Sequence, residues 1–283
     1  MTSRALLDSA TDRLRAAGVD SPRRTAEWLV EDLAGLDRAA LYARPEAVVP
    51  RGPCRAVRAA VERRAAGEPL QYVLGHTEFY GLRLEVTPDV LVPRPETEEV
   101  VEAALGVVAG VEAPVVLDVG TGSGAIALAV RHERPDAAVF AADVSPGALG
   151  VARANAERLG LDVAFVEADA LRPAFADGVA PAFDLVVSNP PYVPERERAG
   201  LQREVRDFEP GLALFVPDDD PLVFYRALAG HAGRLLRPGG WLVVEAHEDG
   251  AGNVGDLFAS AGLDAVEVRR DLGGRPRIVL GRA

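Results

Sequence analysis

Lysine is absent from this chain; all 31 basic residues are arginines. That choice reflects coding bias more than function. A single cysteine, Cys54, excludes an internal disulfide and a thiolate metal cluster, and is read as a small packing residue. No run of about 18 apolar residues occurs, so no membrane span is expected. The first residues, Met-Thr-Ser-Arg-Ala-Leu-Leu-Asp, lack the apolar core of a secretion signal, and a cytoplasmic location is expected. Positive charge is also in deficit: the net charge is −12. A protein that neutralises many phosphates presents a basic face. The arginines at 196, 198, 203 and 206 are instead interleaved with Glu195, Glu197, Glu204 and Asp207, as on a solvated, ion-paired surface. Direct nucleic-acid binding is therefore not expected, and a basic protein partner suits the balance better. With 283 residues and 48% apolar content, the chain has room for one large or two modest domains.

Two glycine- and proline-rich junctions stand out against this ordinary background. In the first, the apolar run from Val115 gives way to Gly120-Thr121-Gly122-Ser123-Gly124 and then to a helical pattern. Glycines here let the backbone approach a ligand closely. The next strand pattern ends at Asp143, 23 residues after Gly120, a distance suited to a ribose hydroxyl. Such a loop alone serves nicotinamide, flavin and S-adenosylmethionine proteins alike. Asp118, at the end of the first strand, either positions the glycine loop or touches the ligand. The second junction is Asn189-Pro190-Pro191-Tyr192, directly after the strand pattern Phe183–Ser188. Two prolines cannot continue a central strand, so the chain turns. The turn leaves an amide side chain, a proline carbonyl without a ladder partner and an aromatic ring. Together these suit a planar NH2 group: Asn189 Oδ1 and the Pro190 carbonyl each accept one hydrogen, and Tyr192 packs on the flat face.

Residues 1–74 show helical periodicity, with Leu7, Ala10, Leu14 and Ala17 on one face and Ala26, Leu29, Val30 and Leu33 on another. Ser21-Pro22 reads as an N-cap and first helical position, and a further helix is expected over 53–66. Trp28 and Tyr42 are read as core. Residues 75–93 form a linker containing a β-hairpin that turns at Gly81. The remainder, 94–283, is an α/β domain. It opens with a helix capped by Glu96 or Thr97, and strands are expected at 115–119, 138–142, 162–166, 183–187, 241–245, 264–270 and 276–280. Helices are expected at 124–132, 146–159, 221–236 and near 251–261. The alternation predicts a doubly wound, mostly parallel seven-stranded sheet with its ligands at the carboxyl ends of the strands. Asp218-Asp219-Asp220 reads as a loop before a helix. A monomer is expected, since no apolar stripe is left over.

Leu117-Asp-x-Gly-x-Gly-x-Gly resembles the first motif of class I S-adenosylmethionine-dependent methyltransferases, and Asn-Pro-Pro-Tyr fits their amino-methylating branch. Over nearly its whole length the chain resembles the protein-(glutamine-N5) methyltransferases of class I peptide chain release factors. The resemblance rests on Gly67-Glu-Pro-Leu-Gln-Tyr72, Phe79-Tyr-Gly81, Leu91-Val-Pro-Arg-Pro-Glu-Thr-Glu98, the glycine loop and Asp143-Val-Ser-Pro-Gly-Ala-Leu149. It continues through Asn189–Tyr192, Phe208-Glu-Pro-Gly-Leu-Ala-Leu214, Phe224-Tyr-Arg226 and Pro238-Gly-Gly-Trp241. The segment from Leu91 separates this family from adenine methyltransferases.

The resemblance implies methyl transfer to the glutamine of the Gly-Gly-Gln motif of bacterial release factors, gripped by the helical domain away from the catalytic cleft. It implies S-adenosylmethionine as donor, S-adenosylhomocysteine as product and no metal. It assigns catalysis to Asn189, Pro190 and Tyr192. Substrate binding falls to these with Pro191, Arg94 and Glu96. Cofactor binding falls to Gly120, Thr121, Gly122, Ser123, Gly124, Asp143, Val144, Asp169, Ala170, Asn189 and Thr97. Asp169 is expected near the adenine amino group, with a helix cap as its simpler reading. Three departures stand out: Pro217-Asp-Asp-Asp-Pro221 for a Gly-Gly-x-Asp-Gly-like turn, Glu245-Ala-His247 for Glu-Ile-Gly, and Ala170 where a bulkier residue is usual. The first two leave room for a paralogue acting on another protein or small-molecule amide, and the third is expected to loosen adenine packing without abolishing S-adenosylmethionine binding. An adenine-N6 methyltransferase of nucleic acid remains as a more distant alternative, distinguished by the basic cleft it needs.

Overall fold

The computed structural model describes residues 1–178 and 182–283. The chain divides into two compact units, residues 1–76 with 202–208, and residues 77–201 with 209–283.

The first unit is helical: α1 (Ser3–Ala16), α2 (Pro22–Ala34), α3 (Arg38–Ala43), α4 (Arg51–Ala65) and α5 (Leu70–Leu74). Leu6, Leu7, Leu14, Leu29, Val30, Val57 and Val61 close its core, and Cys54 packs there as a small apolar residue. The periodic faces hold except at Ala17, which is exposed at the end of α1. Ser21 occupies the N-cap position before Pro22 but makes no side-chain cap; its φ is 47°. Trp28 and Tyr42 are not core. They are 42% and 54% exposed. Residues 25, 26, 29 and 30 of α2 are buried, and Trp28 falls just outside that stripe, with the Arg24 guanidinium 4.6 Å above its ring. The Tyr42 hydroxyl donates to the buried carboxylate of Glu27, which Arg24 and Arg38 also face.

The second unit begins with the hairpin. Strands β1 (His76–Phe79) and β2 (Leu82–Glu85) are joined by Tyr80 and Gly81, both at positive φ (49° and 74°), the two-residue turn that matches strand twist. The hairpin is part of the unit's core rather than a free linker, since Phe79, Leu82 and Leu84 are buried in it. Then follow α6 (Pro95–Val107), β3 (Val115–Val119), α7 (Ala125–Glu133), β4 (Ala138–Asp143), α8 (Pro146–Leu159), β5 (Ala164–Glu167), the single turn α9 (Phe175–Gly178) and β6 (Phe183–Ser188). Past the Asn-Pro-Pro-Tyr turn come the short β7 (Val193–Pro194), then α10 (Arg203–Phe208), which groups with the first unit and pairs Glu204 with Arg64 at 2.6 Å. The chain ends with β8 (Phe215–Val216), α11 (Val223–Leu235), β9 (Leu236–Glu245), α12 (Ala251–Ser260), β10 (Asp264–Arg270) and β11 (Pro276–Arg282).

Seven strands form one sheet in the order β10-β11-β9-β6-β3-β4-β5; β9 through β5 run parallel, and β11 pairs antiparallel with both of its neighbours. Successive side chains alternate between the faces. Val116, Leu185, Val187 and Val243 pack on one side, and Leu117, Val186, Leu242 and Val244 on the other. β9 starts five residues before its expected boundary because Pro238-Gly-Gly240 passes through a bulge opposite β6. A Cβ on Gly240 would lie 2.9 Å from the Phe183 carbonyl oxygen, so only glycine fits there. From β3 the chain proceeds outward to β4 and β5, then crosses back to β6. The order therefore reverses between β3 and β6, and their carboxyl ends open a crevice there.

Candidate active site

The register of β3 against β6 pairs Val119 with Ser188. The residues that follow, Gly120 and Asn189, therefore leave the sheet side by side. Gly120, Gly122 and Gly124 all take positive φ (73°, 56°, 84°). Gly120 and Thr121 donate to the Ala142 carbonyl at 2.8 and 3.1 Å. A Cβ on Gly120 or Gly122 would meet nothing within 4 Å, while one on Gly124 would lie 3.0 Å from Leu128 and 3.3 Å from Ala152. The first two glycines thus leave space at the cleft, and the third lets helix α7 pack against α8.

Asp118 holds this loop. Its Oδ2 accepts from the Thr121 hydroxyl at 2.7 Å and from the Ala127 N–H at 3.2 Å. Of the two roles open from sequence, the structure shows it positioning the loop. Complete burial raises its pKa to about 7. Asp143, at the end of β4, accepts from Gly122 N–H and Ser145 N–H, both at 2.9 Å. It ties the glycine loop to the start of α8, where Ser145 caps Ala148.

Gly120, Thr121, Gly122, Asp143 and Ser145 line a single cleft together with Leu91, Pro93, Arg94, Thr97, Ser123, Val144, Asp169, Ala170, Asn189, Pro190 and Pro191. Of the residues expected to hold a cofactor, all but Gly124 line this cleft; Gly124 faces Leu128 and Ala152 instead. Asp169 also has a local role, since its Oδ1 accepts from Leu171 N–H at 2.9 Å; this is a side-chain turn contact and not the helix cap of its simpler reading, because the next helix starts only at Phe175. Arg94 is the N-cap residue of α6 and donates to the buried Glu209 carboxylate at 2.7 Å. Neither Glu96 nor Thr97 caps that helix. Glu96 is exposed in its first turn, favourable for the helix dipole, and is not among the residues lining the cleft.

Thr97 is buried, and its hydroxyl donates to Glu245 Oε2 at 2.6 Å while accepting from Asn189 Nδ2 at 3.0 Å. Tyr192 differs from expectation. It turns away from the cleft, is half-buried, and donates its hydroxyl to Glu245 Oε1 at 3.2 Å, with its ring 6.0 Å from that of His247. It lines a second cleft with Pro221, Leu222 and His247, so two of the three departures from the family pattern meet there. Burial and the nearby Glu245 charge hold the Tyr192 hydroxyl far above its ordinary pKa.

A family model described as "PrmC N-terminal domain" matches residues 5–75, and one described as "Methyltransferase domain" matches residues 116–209. A release factor glutamine methyltransferase of Deinococcus radiodurans is 45% identical over 284 residues, covering 100% of this chain and 99% of its own. The chain belongs to the release factor glutamine methyltransferase family. A relative of the same name from Chlorobaculum tepidum is 46% identical, with 89% of this chain and 87% of its own length covered. A solved methyltransferase of Pyrococcus furiosus, 20% identical, superposes with a TM-score of 0.51 over 71% of this chain and 89% of its own, which shows the shared fold.

Within this family frame, two features escaped the sequence reading. Glu245 appeared only as the first residue of a departure, although an acid ending the apolar run Trp241-Leu-Val-Val244 was a legible signal. The hydrogen-bonding role of Thr97 had no signal, because both partners lie far away in sequence. Among the described residues no cluster of His, Cys, Asp or Glu could hold a metal ion, and no helix is long and apolar enough to cross a membrane. The arginines after the turn are paired: Arg198 with Glu195 at 2.8 Å, Arg196 with Asp218 at 3.7 Å, Arg206 with Asp207 at 2.7 Å.

Asp118 gives a pH signature. Its ordinary pKa is 3.8 and its folded value is about 7, so between those values the folded state binds more protons than the unfolded one. Its contribution to stability is present at acid pH and is lost as pH rises through about 7. Melting temperatures of the ligand-free protein and of Asp118→Asn, compared across pH, should show the wild type losing ground over that window. Parallel curves would contradict the assignment.

Proposed function

We propose that this chain methylates the side-chain amide nitrogen (N5) of the glutamine in the Gly-Gly-Gln motif of bacterial class I release factors. S-adenosylmethionine is the methyl donor. The observation that carries the reading is the state of Asn189. Its Nδ2 is engaged by Thr97, so Oδ1 is the free end at the cleft. A planar amide NH2 needs acceptors, and Oδ1 with the adjacent Pro190 carbonyl supplies two.

The cleft fits the cofactor. Backbone without side chains at Gly120 and Gly122 admits close approach, and Asp143 stands at the next strand end to accept from ribose hydroxyls. Val144, Asp169 and Ala170 line the wall expected to face the adenine. When bound, S-adenosylmethionine supplies a sulfonium methyl whose C–S bond breaks as the N–C bond forms, leaving S-adenosylhomocysteine.

The protein's task is orientation. An amide nitrogen shares its lone pair with its carbonyl and is a weak nucleophile. Asn189 Oδ1 and the Pro190 carbonyl accept both amide hydrogens, aim the nitrogen and stabilise the positive charge that develops on it. One of its protons then leaves to solvent. Pro191 narrows the slot, and Arg94, held by Glu209, stands where the substrate backbone enters. Tyr192 supports the slot from behind rather than stacking on the amide. The helical unit recognises the release factor. The enzyme works in the cytoplasm as a monomer, with no metal and no nucleic acid in the reaction.

Methyl label from S-adenosylmethionine should enter an intact release factor and not its variant with glutamate in place of the motif glutamine. Label in free DNA or RNA, or equal label in the variant, would overturn the proposal.

A further inference from the structure

An asparagine can present either end of its amide to a cleft, and only its oxygen end can accept from a substrate NH2 group. Nothing in the Asn-Pro-Pro-Tyr turn itself decides which end faces inward. Two residues from distant parts of the chain, Thr97 and Glu245, decide it. Both oxygens of Glu245 receive hydroxyls: Thr97 on Oε2 at 2.6 Å and Tyr192 on Oε1 at 3.2 Å. Burial pushes this carboxyl's pKa up, while the two hydroxyls and the Arg277 charge favour its ionised form, which accepts hydrogen bonds and cannot donate them. Thr97 has one hydroxyl hydrogen, and Glu245 takes it. Toward Asn189 the Thr97 oxygen can only accept, so Asn189 must offer its NH2 group, as it does at 3.0 Å.

We infer that Glu245 and Thr97 are positioning residues that set the polarity of Asn189, turning its Oδ1 toward the methyl-accepting amide. This rests on the functional reading above for the identity of that amide; the orientation itself does not. Glu245 is 1% exposed at the end of the central strand β9, and Tyr225 donates to its backbone carbonyl at 3.0 Å. Burying a carboxylate is costly unless its bonds are made. Here the bonds serve both functional side chains of the turn, Asn189 through Thr97 and Tyr192 directly. Without the acceptor at Glu245, the Thr97 hydroxyl is free to rotate and donate to Asn189 Oδ1. The amide then turns its NH2 into the cleft, against the hydrogens it should accept.

Thr97→Val removes the hydroxyl at nearly constant shape, and Thr97→Ser keeps it. The chain contains only three asparagines and two glutamines, so the side-chain amides form a small set in a nitrogen-15 NMR spectrum, and the Asn189 pair is assigned by its loss in Asn189→Ala. In the wild type one Asn189 amide hydrogen should be protected from exchange. That protection should disappear in Thr97→Val and return in Thr97→Ser. With a release factor as substrate, Thr97→Val should lose kcat by about 10- to 100-fold, as expected for a misaligned reacting group. KM for the release factor should change little, and Thr97→Ser should recover most of the loss. Glu245→Gln should cost kcat in the wild-type background and little more in Thr97→Val, since both act through one chain. Unchanged protection in Thr97→Val, or full turnover by that variant, would overturn the inference. A wild type that protects Asn189 yet leaves release factor unmethylated would count against the functional reading and not against the orientation.

Discussion

Asn189→Ala should lower kcat by roughly 100-fold or more, the scale seen when a preorganised hydrogen-bonding group is removed from a transition state. The reasoning is geometric. Asn189 leaves the sheet beside Gly120 because Ser188 pairs with Val119, and the Ser188 hydroxyl donates to the Val119 carbonyl at 2.7 Å. The backbone at the turn is thus fixed independently of the Asn189 side chain, and alanine should fold normally. What is lost is one acceptor for the reacting amide and its orienting effect on the nitrogen. Ground-state contacts elsewhere remain, so KM for release factor and affinity for S-adenosylmethionine should move far less than kcat. A variant with wild-type turnover would remove Asn189 from the mechanism.

Asp143→Ala should act on the other substrate. A hydrogen bond to a charged group contributes about 1.5–3 kcal/mol, and each 1.4 kcal/mol is tenfold in affinity. Affinity for S-adenosylmethionine should fall by roughly 10- to 100-fold. Two effects add in this variant. The carboxylate that would meet the ribose is gone, and the glycine loop loses the anchor it has through the Gly122 N–H at 2.9 Å. At saturating cofactor, kcat should recover most of its value, the opposite split from Asn189→Ala. Titration calorimetry with the non-reactive product S-adenosylhomocysteine reads this directly, and an unchanged dissociation constant would contradict the placement.

The parts of this molecule that could be read from sequence are those where the backbone itself is constrained. Gly120, Gly122 and Gly124 stand where positive φ or a close approach is needed, and Pro190-Pro191 stands where a central strand has to stop. Each leaves a local mark, and the strand–helix alternation between them implies the crevice at β3 and β6. Polar pairings built by the fold leave no such mark. Thr97 and Glu245 are 148 positions apart, and only the docking of α6 beside β9 brings them together. From its place after two prolines Tyr192 reads as a wall of the slot, yet the turn sends it behind the slot to Glu245. Trp28 looked like core from its apolar surface, but its position on α2 falls just outside the buried stripe, where it lies beneath Arg24. Segment 202–208 groups with the helical unit through Arg64 and Glu204, a contact across 140 residues with no local signature.

The central claim is that the methyl group goes to one amide nitrogen. Fragmentation mass spectrometry of a release factor, after incubation with this protein and S-adenosylmethionine, tests it most directly. The account requires one added methyl on the side-chain nitrogen of the Gly-Gly-Gln glutamine, absent with Asn189→Ala. A methyl on any other residue, or on that glutamine with the Asn189→Ala protein at the wild-type rate, would contradict it.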